Sequence, residues 1–279
     1  MTIVQWGFIL VGTLFLLGGL RLTAVGFLVI GYLLAFVTGE IDVYALPFLV
    51  LLIGAAASVS AQRYLAVRIG GHVVFVLLAV ALFVHRVPGF HNPLVIDATN
   101  FTPDAIPFSM NLNLDKPLVA YWIVFASTSV ELSRPKADWL KVALAAVVTI
   151  TVCIGVAFLL RFMMWEPKWP TSGWIWAINN LLLVAFPEEA LFRGYVQANL
   201  DRLFSSRWPF GRWLAISIAA VLFGLAHFQG GGGLIVLAGI AGIGYGAAYR
   251  WGGLQGSVLT HFVLNLTHFS LFTYPALAR

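Results

Sequence analysis

Ten apolar runs, most of them near the length a bilayer requires, follow one another along the chain at residues 3–20, 22–38, 43–60, 72–85, 118–132, 142–160, 173–200, 213–229, 234–249 and 254–273. About 20 apolar residues cross the hydrocarbon core as a helix, and a helix satisfies its own backbone hydrogen bonds there. The pattern predicts an all-α, polytopic transmembrane helical bundle of about eight to ten spans. The range reflects the short run 72–85 and the near fusion of the first two runs at Arg21.

Composition excludes a water-soluble alternative. Hydrophobic residues make up 61% of the 279, and charged residues only 10%. A soluble domain carries about 25% charged residues, more than twice the share here. The net charge of +5 does not point to nucleic acid, because the basic residues stand singly or in small groups between apolar runs. Their placement reads as topology. Arg21, Arg63, Arg68, Arg134, Lys136, Lys141, Arg202, Arg207, Arg212 and Arg250 fall in odd-numbered loops, while Arg86, Lys116, Arg161 and Lys168 fall in even-numbered ones. The positive-inside rule then predicts cytoplasmic odd-numbered loops and both termini outside. The run Ile3–Leu20 lacks a basic leading segment and reads as a retained helix. Short loops and no recognisable targeting segment point to a bacterial plasma membrane. Cys153, the single cysteine, sits in an apolar run and reads as a packing residue.

Smaller features carry structural expectations. Trp165, Trp169, Trp174 and Trp176 are placed as an interfacial aromatic belt. Gly230–Gly233 reads as a turn, and Gly239, Gly242, Gly244 and Gly246, with Ala247 and Ala248, as a close-packing helix face.

Ionisable groups inside an apolar span are costly and mark function. Here they gather in the C-terminal part. Glu188 and Glu189 lie within the run 173–200, and Arg193 follows Glu189 by four residues, on the same helical face. Glu188 points about 100° away and has no partner on its own helix. Pro187 removes a backbone donor and crowds the carbonyl of Leu183, so the helix is expected to bend or open there. His227 ends one apolar run, and His261 and Asn265 share a face of another. At about 1.5 Å per residue, Glu188, His227 and His261 lie at loosely overlapping depths, and they are expected to converge on one cavity. The division expected is 1–133 as N-terminal helices without a motif and 134–279 as a catalytic core.

Three motifs occur in order: EExxxR at Glu188–Arg193, FxxxH at Phe223–His227, and HxxxN at His261–Asn265. Together they resemble the CAAX-processing and bacteriocin-processing intramembrane endopeptidases, the family of the prenyl-protein endopeptidase Rce1. The resemblance covers roughly residues 140–275. It implies hydrolysis of a membrane-associated peptide or protein, lipidated or not, by a glutamate-activated water. It implies Glu188 as general base aided by His227, Glu189 orienting the site with Arg193, and His261 and Asn265 stabilising the oxyanion. No cofactor is expected. The family has also been described as metal-dependent, and in that case Glu188, His227 and His261 are adequate zinc ligands. Two other readings remain open: a proton-coupled transporter, whose carboxylates and histidines would relay protons, and a catalytically silent immunity or scaffold protein.

Overall fold

The structure, a computed structural model, describes residues 3–59, 63–127, 130–134 and 136–278. Each of the ten apolar runs forms a helix or a limb of one, and the architecture is a helical membrane bundle. The helices are α1 (Val4–Leu17), α2 (Arg21–Val37), α3 (Leu46–Ser58), α4 (Leu65–Phe83), α5 (Pro117–Ala126), α6 (Trp139–Leu159), α7 (Gly173–Phe204), α8 (Gly211–Ala226) and α9 (Gly231–Leu271). Residues 60 and 128–129 of two expected spans lie outside the described residues.

Among the described residues, α4, α6, α7 and the stretch Phe228–Leu271 are long and apolar enough to cross a membrane, and the other helices are shorter. The expected span 72–85 is corrected to the longer α4, which begins at Leu65. Conversely, α5 ends at Ala126 after 10 residues, about half a crossing. Its Val119, Ala120 and Ile123 are fully buried, so α5 is a half-helix inside the bundle. By contrast α6 is peripheral, with Leu144, Val147, Val148 and Leu159 exposed on an apolar face suited to lipid.

Two local features shape the centre. Gly253 (φ 67°) interrupts α9 and separates two limbs that correspond to the last two apolar runs. The amides of Leu254 and Gln255, freed by the break, donate to the carbonyls of Glu131 and Leu132 at 2.8 and 3.0 Å. A side chain at 253 would also meet the Glu131 carbonyl at 2.8 Å, so only glycine fits. In α7, Pro187 does not break the helix. The turns on either side widen to π-helix, over Asn180–Ala185 and Ala190–Gln197, with Phe186–Glu189 α-helical between them. A π turn lets the proline ring pass the preceding carbonyls, and such turns are often found at functional sites.

The expected close packing of the glycine stripe has specific targets. A Cβ on Gly242 would lie 2.9 Å from Ala220 Cα on α8, one on Gly244 would meet Thr149 of α6, and one on Gly246 would lie 2.7 Å from Gln197 Oε1 of α7. Gly239 is different, with no neighbour nearer than 3.9 Å. The segment between α4 and α5 carries an antiparallel hairpin, β1 (Leu94–Thr99) with β2 (Phe108–Asn111), added to the otherwise helical fold. Ile96 and Met110 of this hairpin pack with Trp176 and Phe269. Trp176 is therefore corrected from belt to core: its ring is 1% exposed and stacks on Phe269 at 3.9 Å. Trp165, Trp169 and Trp174 are exposed, as a belt requires.

Candidate active site

The polar centre is built on the α-helical turn between the two π stretches of α7. Glu189 and Arg193 are both fully buried, and Arg193 Nη1 donates to Glu189 Oε1 at 2.7 Å. Arg193 Nη2 donates to the Gly242 carbonyl at 3.1 Å, an approach that the missing side chain at 242 permits. The guanidinium lies 4.5 Å from the ring centre of Phe223 and 5.1 Å from that of Tyr245, a cation–π box that compensates for lost hydration.

His261 joins this pair from the second limb of α9. Its Nδ1 lies 2.8 Å from Glu189 Oε1. An ionised carboxylate only accepts, so Nδ1 carries the proton and Nε2 is left facing Glu188, with its Oε2 at 4.0 Å. Tyr245 stacks on the imidazole at 4.5 Å and 13°, which fixes the plane of the ring. His261 reaches the glutamates although it lies only about 10 Å along its limb from Leu254. The start of that limb is itself buried, with Leu254 at 0% exposure, so depth counted from it as if from a membrane surface falls short.

Glu188 does have a partner, supplied from elsewhere in the chain. Lys116, at the start of α5, places Nζ 2.6 Å from Glu188 Oε1, with 12% exposure for each side chain. Glu188 has no partner on its own helix, as expected, and takes its ion pair from another one. Nothing local in the sequence marks Lys116, which reads as a loop residue after Asp115 and before Pro117.

The other expected site residues have hydrogen-bond partners of their own. His227, half-buried at the end of α8, has Nδ1 2.8 Å from the Phe223 carbonyl of its own turn. The Phe223 ring contacts both histidines, at 4.6 Å from His227 and 5.8 Å from His261. Of the three residues expected to converge, Glu188 and His261 approach each other directly, and His227 is linked to His261 through their shared contact with the Phe223 ring. Asn265 Nδ2 donates to Asn180 Oδ1 at 3.2 Å, and Asn180 lies in the first π stretch. Asn180 and Tyr245 were not legible as site residues. An asparagine inside an apolar run was the available signal for Asn180, and Tyr245 had none.

Residues 169–267 match the Rce1-like family model. The family is described as type II CAAX prenyl endopeptidase Rce1-like. No curated protein and no solved structure matches the chain. The Rce1-like segment contains all three motifs and stops short of Lys116. The apolar helices support an integral membrane protein, and the match makes residues 169–267 similar to an intramembrane CAAX protease.

Zinc would need Glu188, His227 and His261 as its ligands. Among the described residues no group of three His, Cys, Asp or Glu side chains is arranged to hold a metal ion. The atoms left for it are Glu188 Oε2 and the Nε2 atoms of His261 and His227, since the Nδ1 atoms are engaged with Glu189 and a backbone carbonyl.

Proposed function

We propose that the protein is an intramembrane endopeptidase that hydrolyses a peptide bond of a membrane-associated, CAAX-type substrate with Glu188 as general base. The observation that carries this reading is the 4.0 Å approach of Glu188 Oε2 and His261 Nε2 inside an apolar bundle. That distance is too long for a hydrogen bond and suits a water bridging the two groups. The water oxygen attacks the scissile carbonyl carbon, its proton passes to Glu188 Oε2, and the same proton is delivered to the leaving amine.

Glu189 and Arg193 serve as the frame that holds His261. With Nδ1–H committed to Glu189, His261 becomes a donor to the tetrahedral oxyanion only as the imidazolium, its Nε2 proton taken up from bulk water before the attack. Asn265, held by Asn180, supplies a second amide on the same helical face. His227, in contact with the Phe223 ring, is the imidazole that would aid Glu188. The division into N-terminal helices (1–133) and a catalytic core (134–279) is kept for the motifs, which all lie in the second part.

The test is cleavage of a farnesylated CAAX peptide by purified protein in detergent, wild type beside Glu188→Gln. Cleavage by wild type alone supports the reading. Equal cleavage by both removes Glu188 as base. Proton flux without cleavage in liposomes, lost in Glu188→Gln, would favour transport instead. No cleavage, with a cellular phenotype that survives Glu188→Ala, would favour a silent scaffold.

A further inference from the structure

We infer that Lys116 is a positioning residue for Glu188, so the N-terminal helices complete a site whose motifs all lie in the C-terminal half. The inference rests on the proteolytic reading above and extends it outside the segment that matches the family.

Lys116 is held in place by a dense set of hydrogen bonds. Asp115, 1% exposed, is met by His85 Nδ1 at 2.8 Å, by Asn92 Nδ2 at 3.2 Å, and by the Lys116 amide at 2.9 Å. One residue earlier, the Leu114 amide donates to Asn92 Oδ1 at 2.8 Å, and Tyr32 of α2 donates its hydroxyl proton to the Leu114 carbonyl at 2.6 Å. These contacts tie α2, the end of α4 and the β1 approach to the start of α5. A surface lysine needs no such frame, whereas a buried ammonium that must meet one carboxylate oxygen does. The Phe83 ring, 5.0 Å from Nζ, closes another side.

The consequence for Glu188 is geometric. Its carboxylate is spanned: Lys116 holds Oε1, and Oε2 faces His261. Without Lys116 the carboxylate can turn about its last torsion, and neither oxygen is fixed toward the water. A misplacement of about 1 Å at a reacting group can cost about 10²-fold in rate. Lys116 does not touch the reacting atoms. It acts through Glu188, so its loss should lower kcat and leave KM nearly unchanged.

The experiment uses the full chain in detergent, with the farnesylated CAAX peptide as probe, and measures kcat, KM and melting temperature. Lys116→Met should lower kcat about 10²-fold with KM within about twofold of wild type. Lys116→Arg should restore much of kcat, because it returns the charge. Because Lys116→Met leaves a buried charge unpaired, its stability is checked against the double variant Lys116→Met/Glu188→Gln. That variant should melt above Lys116→Met yet remain inactive. Wild-type kcat in Lys116→Met would overturn the inference and leave the proteolytic reading standing. So would a loss of activity that follows the fall in melting temperature and is not rescued by arginine. A wild-type protein that leaves the probe intact, or an active Glu188→Gln, would overturn the proteolytic reading and this inference with it.

Discussion

Replacing Arg193 with alanine removes one half of an ion pair whose two side chains are fully buried. Glu189 then keeps its charge without its main counter-ion, and one buried donor to the Gly242 carbonyl is lost. Breaking a buried pair from one side costs about 3–5 kcal/mol, because the remaining charge has neither water nor its partner. His261 shares Glu189 Oε1 and preserves part of the pairing, which places the loss near the lower end, about 3 kcal/mol. At about 2–4 °C per kcal/mol, the melting temperature in detergent should fall by roughly 6–12 °C. Arg193→Lys keeps the charge but cannot span Glu189 and Gly242 with a planar fork, so it should recover only part of that loss. Glu188→Gln provides the contrast: the amide oxygen still accepts from Lys116, so stability falls less, while turnover falls by about 10²-fold or more. The assay is thermal melting beside cleavage of the farnesylated peptide. An Arg193→Ala protein that melts within about 2 °C of wild type yet fails to cleave would refute the scaffold argument and move Arg193 into the chemistry.

His227→Ala should reduce turnover while shifting stability by no more than about 0.5 kcal/mol, since its hydrogen bond is to its own helical turn and the side chain is half-buried; melting and kcat of one variant check both parts. Gly242→Ala should destabilise by about 1–3 kcal/mol, because its Cβ would lie 2.9 Å from Ala220 Cα and 3.1 Å from Arg193 Nη2. Gly239→Ala, three residues earlier, where a Cβ would meet only the Ala220 carbonyl at an ordinary 3.9 Å, should be neutral or slightly stabilising in the same melting experiment. Cleavage should survive treatment with 1,10-phenanthroline. Loss of activity restored by added zinc would return Glu188, His227 and His261 to a ligand role.

Much of the candidate site was legible because its determinants are short-range. Glu189 and Arg193 pair at i, i+4 on one helix, and Phe223 and His227 stand one turn apart, with the Phe223 ring also covering Arg193. Such spacings depend on the 3.6-residue helical repeat and hold before any tertiary contact exists. Lys116 was not legible for the opposite reason. It lies 72 residues from Glu188, and no local pattern sets the distance between a loop lysine and a glutamate on another helix.

The apolar runs by themselves determined that this chain forms a helical membrane bundle, since backbone groups in lipid must be satisfied within a helix or a closed barrel. They also determined where the costly charges sit, because burial in a bilayer is a property of the run that carries them. Tertiary structure alone decided which runs are half-helices, as with α5. It also widened α7 around Pro187 and moved Trp176 from an interface into the core. It decided the partners of Glu188, because a buried charge takes whichever opposite charge the packing brings within reach, and here that charge stands at the start of a different helix.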